Sequence, residues 1–181
     1  MIPRDSWSRY LRLMEERPEA FAQSPSLPIV TDPREAEAFT ARTGRQLGVL
    51  YESPYRILLV DLVQGPKGLF AYERILPAST GAAVVALPLW EGRFILLRQF
   101  RHALRDSQLA FPRGYGEDGL SPEENVRKEL AEELQTEAVG LENLGQIAPD
   151  SGMTGVRAQA FLCRVAQPKI PVGYEEIQGM V

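Results

Sequence analysis

The sequence predicts an α+β fold built around a mixed β-sheet. Two observations carry this prediction. From residue 45 onward, apolar stretches of strand length follow one another with turn signals between them. Only one long helical run, residues 122–138, breaks into that series. Strands in runs with few helices give α+β, whereas strict alternation would give a doubly wound sheet.

Residues 5–16 read as a helix, with Trp7, Tyr10, Leu11 and Met14 at helical spacing. A proline-rich link follows (Pro18, Pro25, Pro28, Pro33), and then a second short helix over 34–42. Residues 1–45 carry too little apolar material for a core of their own, so they read as an N-terminal helical extension, with the main domain over 46–181. Residues 56–63 form a strand, Gly65-Pro-Lys-Gly68 a turn, and 69–75 its hairpin partner. Residues 82–89 and 93–100 form a second apolar pair around Trp90-Glu-Gly92. After the long helix, for which Gly140 is the expected stop, come a strand near 144–147, a loop over 149–155 and a strand over 156–165.

Composition excludes several chemistries. The net charge is −4, with 24 acids against 20 bases, too balanced to argue for a nucleic-acid or membrane partner. Cys163 is the only cysteine, so neither an intrachain disulfide nor a cysteine zinc cluster can form. It reads as a small buried hydrophobe. His102 is the only histidine, which removes the usual histidine-ligated zinc enzyme and argues against a Ser-His-Asp triad. His102 itself reads as structural or exposed, and Trp7, Tyr10 and Phe21 as packing residues. No run approaches the roughly 18 apolar residues of a membrane span. The first residues lack a charged start followed by an apolar core, so the expected compartment is the cytoplasm.

The long helix carries the chemistry. Ser121-Pro-Glu-Glu124 is a capping-box start with proline at the first helical position. Val126, Leu130 and Leu134 form one apolar stripe. Beside it stand Glu129, Glu132 and Glu133, at i, i+3 and i+4 and therefore on one face. Such like charges cost roughly 0.2–0.5 kcal/mol per pair. They also lie toward the negative end of the helix dipole. A bound divalent cation removes both objections, because hard cations prefer carboxylate oxygens. The bland alternative is a solvated acidic face. Against it stands Phe111-Pro-Arg-Gly-Tyr-Gly-Glu-Asp-Gly119, a glycine-rich loop leading into the helix, of the kind that lets backbone groups approach a metal or phosphate.

With this loop and helix the chain resembles the Nudix family, whose box reads G-x5-E-x7-R-E-U-x-E-E-x-G-U with U aliphatic. From Gly114, the marked places hold Leu120, Lys128, Glu129, Leu130, Glu132, Glu133, Gln135 and Thr136. The glycine, the three helix glutamates and the aliphatic residue match. Leu120 replaces a glutamate, Lys128 an arginine, Gln135 a glycine and Thr136 an aliphatic residue. In the family, the first glutamate and the arginine commonly support the loop and helix through their charges. Lys128 can pair with Glu132 at i, i+4 but lacks the bidentate fork of arginine. Over residues 48–181, further segments are similar to the ADP-ribose and nucleoside-diphosphate-sugar pyrophosphatases. These are Arg98-Gln-Phe-Arg101, Phe111-Pro-Arg-Gly114, Ala148-Pro-Asp-Ser-Gly152 and Glu175-Glu-Ile177. That subgroup usually continues for another helix, so the resemblance implies a chain truncated at its C-terminal end.

The resemblance implies a Nudix fold, with a mixed sheet sandwiched between helices. The implied activity is metal-dependent hydrolysis of a nucleoside diphosphate linked to another moiety, such as ADP-ribose, with Mg2+ or Mn2+ as cofactor. Glu129 and Glu133 are the expected metal ligands, joined by Glu132, which otherwise positions water, and by the carbonyl of Arg113. Asp150, Glu175 and Glu176 are candidate general bases. Arg101 and then Arg98 are the expected phosphate contacts; their positions differ by three, so only one can face the site from an unbroken strand. Arg113 is a further substrate contact. The competing reading is a non-catalytic Nudix-fold module that binds a nucleotide or a protein. A homodimer is expected, because Trp7, Tyr10, Leu11 and Met14 offer apolar surface that one small domain would leave uncovered.

Overall fold

The computed structural model describes residues 4–170 and 177–181. The chain forms two compact units. The first runs to Ala78 and takes back residues 150–156; the second holds Ser79–Pro149 and Arg157–Val181.

The first unit opens with α1 (Arg4–Glu16), a short 3-10 turn (Pro18–Phe21) and α2 (Pro33–Thr43). Pro33 at the first turn and Asp32, whose side chain accepts from the Arg34 backbone N–H, start α2; Gly44 in the left-handed conformation stops it. Then come β1 (Gly48–Glu52), β2 (Arg56–Gly65) and β3 (Gly68–Pro77), an antiparallel sheet in that order. The hairpin closes between Gly65 and Gly68, where the turn residues predict it. Segment 150–156 adds to this unit through β3: Ile75 N–H donates to the Met153 carbonyl at 2.9 Å, and Gly155 N–H to the Ile75 carbonyl at 2.9 Å.

One core holds the helices and sheet of this unit together. Trp7, Tyr10, Leu13, Phe21, Phe39, Leu59 and Leu62 are all buried in it. Trp7 stacks on Tyr10 with centroids 5.1 Å apart, and Tyr10 meets the edge of Phe21 at 5.4 Å. Leu11 and Met14 pack against the same cluster. Trp7 and Tyr10 are therefore covered within the chain itself and Leu11 and Met14 partly so, and the argument for a homodimer loses its support.

A charged network lies inside this core. Asp61, 3% exposed on β2, accepts from the Tyr10 hydroxyl at 2.5 Å. It also receives Arg74 Nε from β3 at 2.5 Å. Arg74 donates onward to the Ala20 carbonyl at 2.6 Å and lies over the Phe21 ring at 4.6 Å. Burial, and then the neighbouring Asp61 charge, hold the Tyr10 phenol well above its usual range.

The second unit contains two sheets and a helix. Its strands are β4 (Ala83–Trp90), β5 (Arg93–Phe94), β6 (Leu97–Arg101), β7 (Asp106–Ala110), β8 (Arg113–Gly114), β9 (Ala138–Ile147), β10 (Ala158–Val165) and β11 (Ile177–Met180). Its helix is α3 (Pro122–Leu134). One sheet has the order β5-β4-β10-β9 with β8 added to β4, and the other is β11-β6-β7. The β4–β10 pairing is parallel and the rest are antiparallel, so the first sheet is mixed as the sequence predicts. Val126, Leu130 and Leu134 on α3 are fully buried with Val84, Ala86, Leu97, Phe161 and Cys163.

Two elements differ from the sequence expectation. Residues 93–100 do not form one hairpin partner for β4. Only Phe94 and Arg93 pair with it; at Leu96 the chain exchanges hydrogen bonds with Val181 at 2.8 and 2.9 Å and enters the other sheet. Pro88 contributes to the break, since it can accept from Ile95 N–H at 2.9 Å but has no N–H to return. The helix also stops before Gly140. Gln135 takes the left-handed conformation at φ 45, and Gly140 lies within β9 opposite Arg164. Pairing with β10 from Ala138 onward overrides the local glycine signal. Among the described residues, no helix is long and apolar enough to cross a membrane.

Asp61→Ala leaves Arg74 charged and without its carboxylate beside the core. It is expected to destabilise the protein by about 3 kcal/mol in urea unfolding. A loss below about 1 kcal/mol would mean that the network is peripheral to the unit.

Candidate active site

The site is assembled by three pieces of the second unit: α3, the loop before it, and β6. Helix α3 starts as the sequence predicts. The Ser121 side chain accepts from Glu124 N–H, and the Glu124 carboxylate accepts from Ser121 N–H at 2.8 Å, the reciprocal capping box. Hydrogen bonds from the Ser121 backbone N–H and then from its hydroxyl hold the Glu124 carboxyl below its usual range.

The loop is held from both sides. Asp118 Oδ1 accepts from the backbone N–H groups of Thr80 and Gly81, both at 3.1 Å, and from the Thr80 hydroxyl at 2.8 Å. Hydrogen bonds from Thr80 and then Ser79 lower the Asp118 pKa. Asn125, 1% exposed in the first turns of α3, donates to the carbonyls of Ala82 and Tyr115, both at 3.1 Å. Gly116 crosses Gly81 so closely that a Cβ on either would overlap the other strand's backbone. Neither Asp118 nor Asn125 is singled out by the sequence, because a lone Asp or Asn near a helix start reads as an ordinary turn or cap residue.

Of the three helix glutamates, Glu129 and Glu133 are half-buried and turned into this setting. Glu129 lies against Gly114: a Cβ there would overlap the Glu129 carboxylate. Burial, then Glu133 and Glu132, push the Glu129 carboxyl up to about 7. The Glu133 carboxyl is also raised, by burial, against the opposing effect of two hydrogen bonds. One comes from Gln99 Nε2 at 3.1 Å and the other from the Arg113 backbone N–H at 3.3 Å. Glu132 has Lys128 Nζ 3.6 Å away, the i, i+4 pair expected from the sequence.

Lys128 has a second partner that the sequence does not reveal: Glu117 in the loop meets its ammonium. The charge lost at Leu120 therefore returns three residues earlier, where linear spacing conceals it. The other departures from the box pattern also have local accounts. Gln135 adopts the left-handed conformation that glycine takes most cheaply. Thr136, 5% exposed, satisfies its hydroxyl on the Ala166 carbonyl at 3.0 Å.

On β6, alternate residues separate the two arginines. Gln99 and Arg101 share a face, and the Arg101 guanidinium donates to Gln99 Oε1. Arg98 is exposed on the opposite face, apart from the glutamates. The Arg113 side chain is exposed on β8 while its backbone N–H reaches Glu133. Asp150 belongs to the first unit, where its carbonyl accepts from Thr154 N–H at 3.0 Å and from the Thr154 hydroxyl at 2.9 Å. Glu175 and Glu176 lie outside the described residues. His102 is exposed, with Nδ1 3.0 Å from Arg105 Nη1, and Cys163 is buried, its thiol pushed up to about 11 by burial.

A family model described as NUDIX domain matches residues 79–176. The chain belongs to the Nudix family. The match begins at Ser79, the first residue of the second unit. The crystal structure of an ADP compounds hydrolase is similar in fold, with a TM-score of 0.61 and 20% identity, over 74% of this chain and 72% of that one. No curated protein matches the chain. The chain is thus a Nudix-type pyrophosphohydrolase, a class that generally uses divalent metals.

The donor set suits such a cation. Glu129 and Glu133 present hard carboxylate oxygens one helical turn apart, and the mutual repulsion and burial that raise Glu129 are what a divalent charge offsets. Among the described residues, no three acidic, histidine or cysteine side chains already converge as a cage. Uncompensated carboxylates repel, and Glu132 is turned to Lys128.

In metal-free protein, Glu129 keeps its proton up to about pH 7 when folded, against 4.5 for the unperturbed group. The folded state binds the extra proton between those values, so this group makes stability fall as pH rises through that window. Melting with a chelator between pH 5 and 8 is expected to show the decline in the wild type and its loss in Glu129→Gln. Parallel profiles would contradict it.

Proposed function

We propose that this protein hydrolyses a nucleoside diphosphate linked to a sugar, with ADP-ribose as the leading candidate, giving a nucleoside monophosphate and a sugar phosphate. The observation that carries the proposal is the link from Glu133 to Arg101 through Gln99 and to the Arg113 backbone, with Glu129 one helical turn away. A bridged diphosphate needs anion-compensating groups along its length, and the arginine on β6 supplies one next to the carboxylates. The similarity of the fold to an ADP compounds hydrolase supports the same substrate class.

In this reading Glu129 and Glu133 hold Mg2+ or Mn2+, with Glu132 as a further ligand or as the residue that positions water, and the Arg113 carbonyl as a backbone ligand. The cation, when bound, neutralises phosphate oxygens and lowers the cost of water attack at phosphorus. Arg101 orients the diphosphate by charge and hydrogen bonding. The Arg113 side chain, exposed at the loop, adds a contact to phosphate or narrows the pocket for the sugar. Arg98, facing away, is the weaker phosphate contact. Asp150 is the described candidate for general base, and Glu175 and Glu176 share that candidacy. The second reading, a non-catalytic module that binds a nucleotide or a protein, draws on the altered box. The Glu117–Lys128 pair weighs against it, because the support that Leu120 removes is restored.

The test is product analysis with Mg2+ or Mn2+ over a panel of diphosphate sugars and triphosphates. Glu133→Gln is expected to keep the fold and lower turnover of the cleaved substrate by at least a hundredfold. Cleavage of triphosphates alone would overturn the substrate class. Nucleotide binding without turnover under any metal would select the non-catalytic reading.

A further inference from the structure

Gln99 is a buried amide in surroundings that favour apolar side chains. It is 2% exposed, while Leu97 on the same face of β6 and Ile177 across from it in β11 belong to the apolar cluster. An unsatisfied amide there would be costly, so both of its ends need partners. They have them: Nε2 donates to Glu133 Oε1 at 3.1 Å, and Oε1 accepts from the Arg101 guanidinium. The orientation of the amide is forced, because an ionised carboxylate cannot donate and a guanidinium cannot accept.

We propose that Gln99 is a positioning residue that sets the Glu133 carboxylate and the Arg101 guanidinium in one fixed relation, coupling cation binding to substrate-phosphate binding. The inference rests on the reading of Glu133 as a cation ligand and of Arg101 as a phosphate contact. Gln99 bonds one oxygen of Glu133 and the Arg113 N–H bonds the other. The carboxylate plane is thereby fixed before any cation arrives. Outer hydrogen bonds of this kind orient ligands, and their removal typically weakens metal binding about 10- to 100-fold. On the other side, the amide oxygen fixes the guanidinium at a set distance from the same carboxylate. A leucine at this position would fill the volume and leave both charged groups to reorient independently.

The test uses the full chain with Gln99→Met, which keeps length and removes both hydrogen bonds. Gln99→Asn is the second variant; it keeps the amide but cannot span both partners. Mn2+ binding without substrate is followed by electron paramagnetic resonance of the free ion, and folding by thermal melting. Both variants are expected to bind Mn2+ at least tenfold more weakly than the wild type while melting within a few degrees of it. With a cleaved diphosphate substrate, both are also expected to raise KM, the effect carried through Arg101. Wild-type Mn2+ affinity and KM in either folded variant would overturn the role of Gln99 and leave the proposed function standing. Failure of the wild type to bind Mn2+ would overturn both. Binding of Mn2+ by the wild type with cleavage of triphosphates only would overturn the substrate class, while the affinity comparison still decides on Gln99.

Discussion

The site depends on a close approach: the Glu129 carboxylate lies where a Cβ on residue 114 would sit, so only glycine there leaves the carboxylate in place. The glycine lets α3 bring a charged side chain flush against the loop backbone. Burial there raises Glu129, and its neighbours Glu133 and Glu132 raise it further. The arrangement is costly for the protein alone and is relieved by positive charge. The rest of the second unit maintains it. Asp118 and Asn125 fix the loop, the capping box fixes the start of the helix, and the Val126, Leu130 and Leu134 stripe fixes its roll.

The altered Nudix box becomes intelligible in three dimensions. The pattern places a glutamate where this chain has Leu120. Glu117 provides a carboxylate from a different place in the loop, and Lys128 reaches both it and Glu132. Where the pattern has glycine, Gln135 adopts the left-handed conformation with some strain. Thr136 retains burial because its hydroxyl has a backbone acceptor.

Much of this was legible in the sequence because its signals are local. The capping box, the apolar stripe, the three glutamates on one face and the β2–β3 hairpin each follow from spacing within a few residues. What stayed hidden depends on pairing between distant segments. The switch of the chain at Leu96 needs Val181, and the early end of α3 needs β10. Gln99 reads as one polar residue in an apolar strand until Glu133 and Arg101 close around it. The aromatic residues of α1 look uncovered until Asp61 and Arg74 bring β2 and β3 to them.

If α3 holds a cation through Glu129, the close seating of that carboxylate against Gly114 should be required for activity. Gly114→Ala is the variant to make, because Gly114 has no positive φ and the three atoms nearest the added methyl group all belong to the Glu129 side chain. The measurement is metal-dependent hydrolysis by the variant, alongside its circular dichroism. An unchanged helix and sheet spectrum is expected, with activity lowered roughly 10- to 100-fold. A folded Gly114→Ala variant with wild-type activity would contradict it.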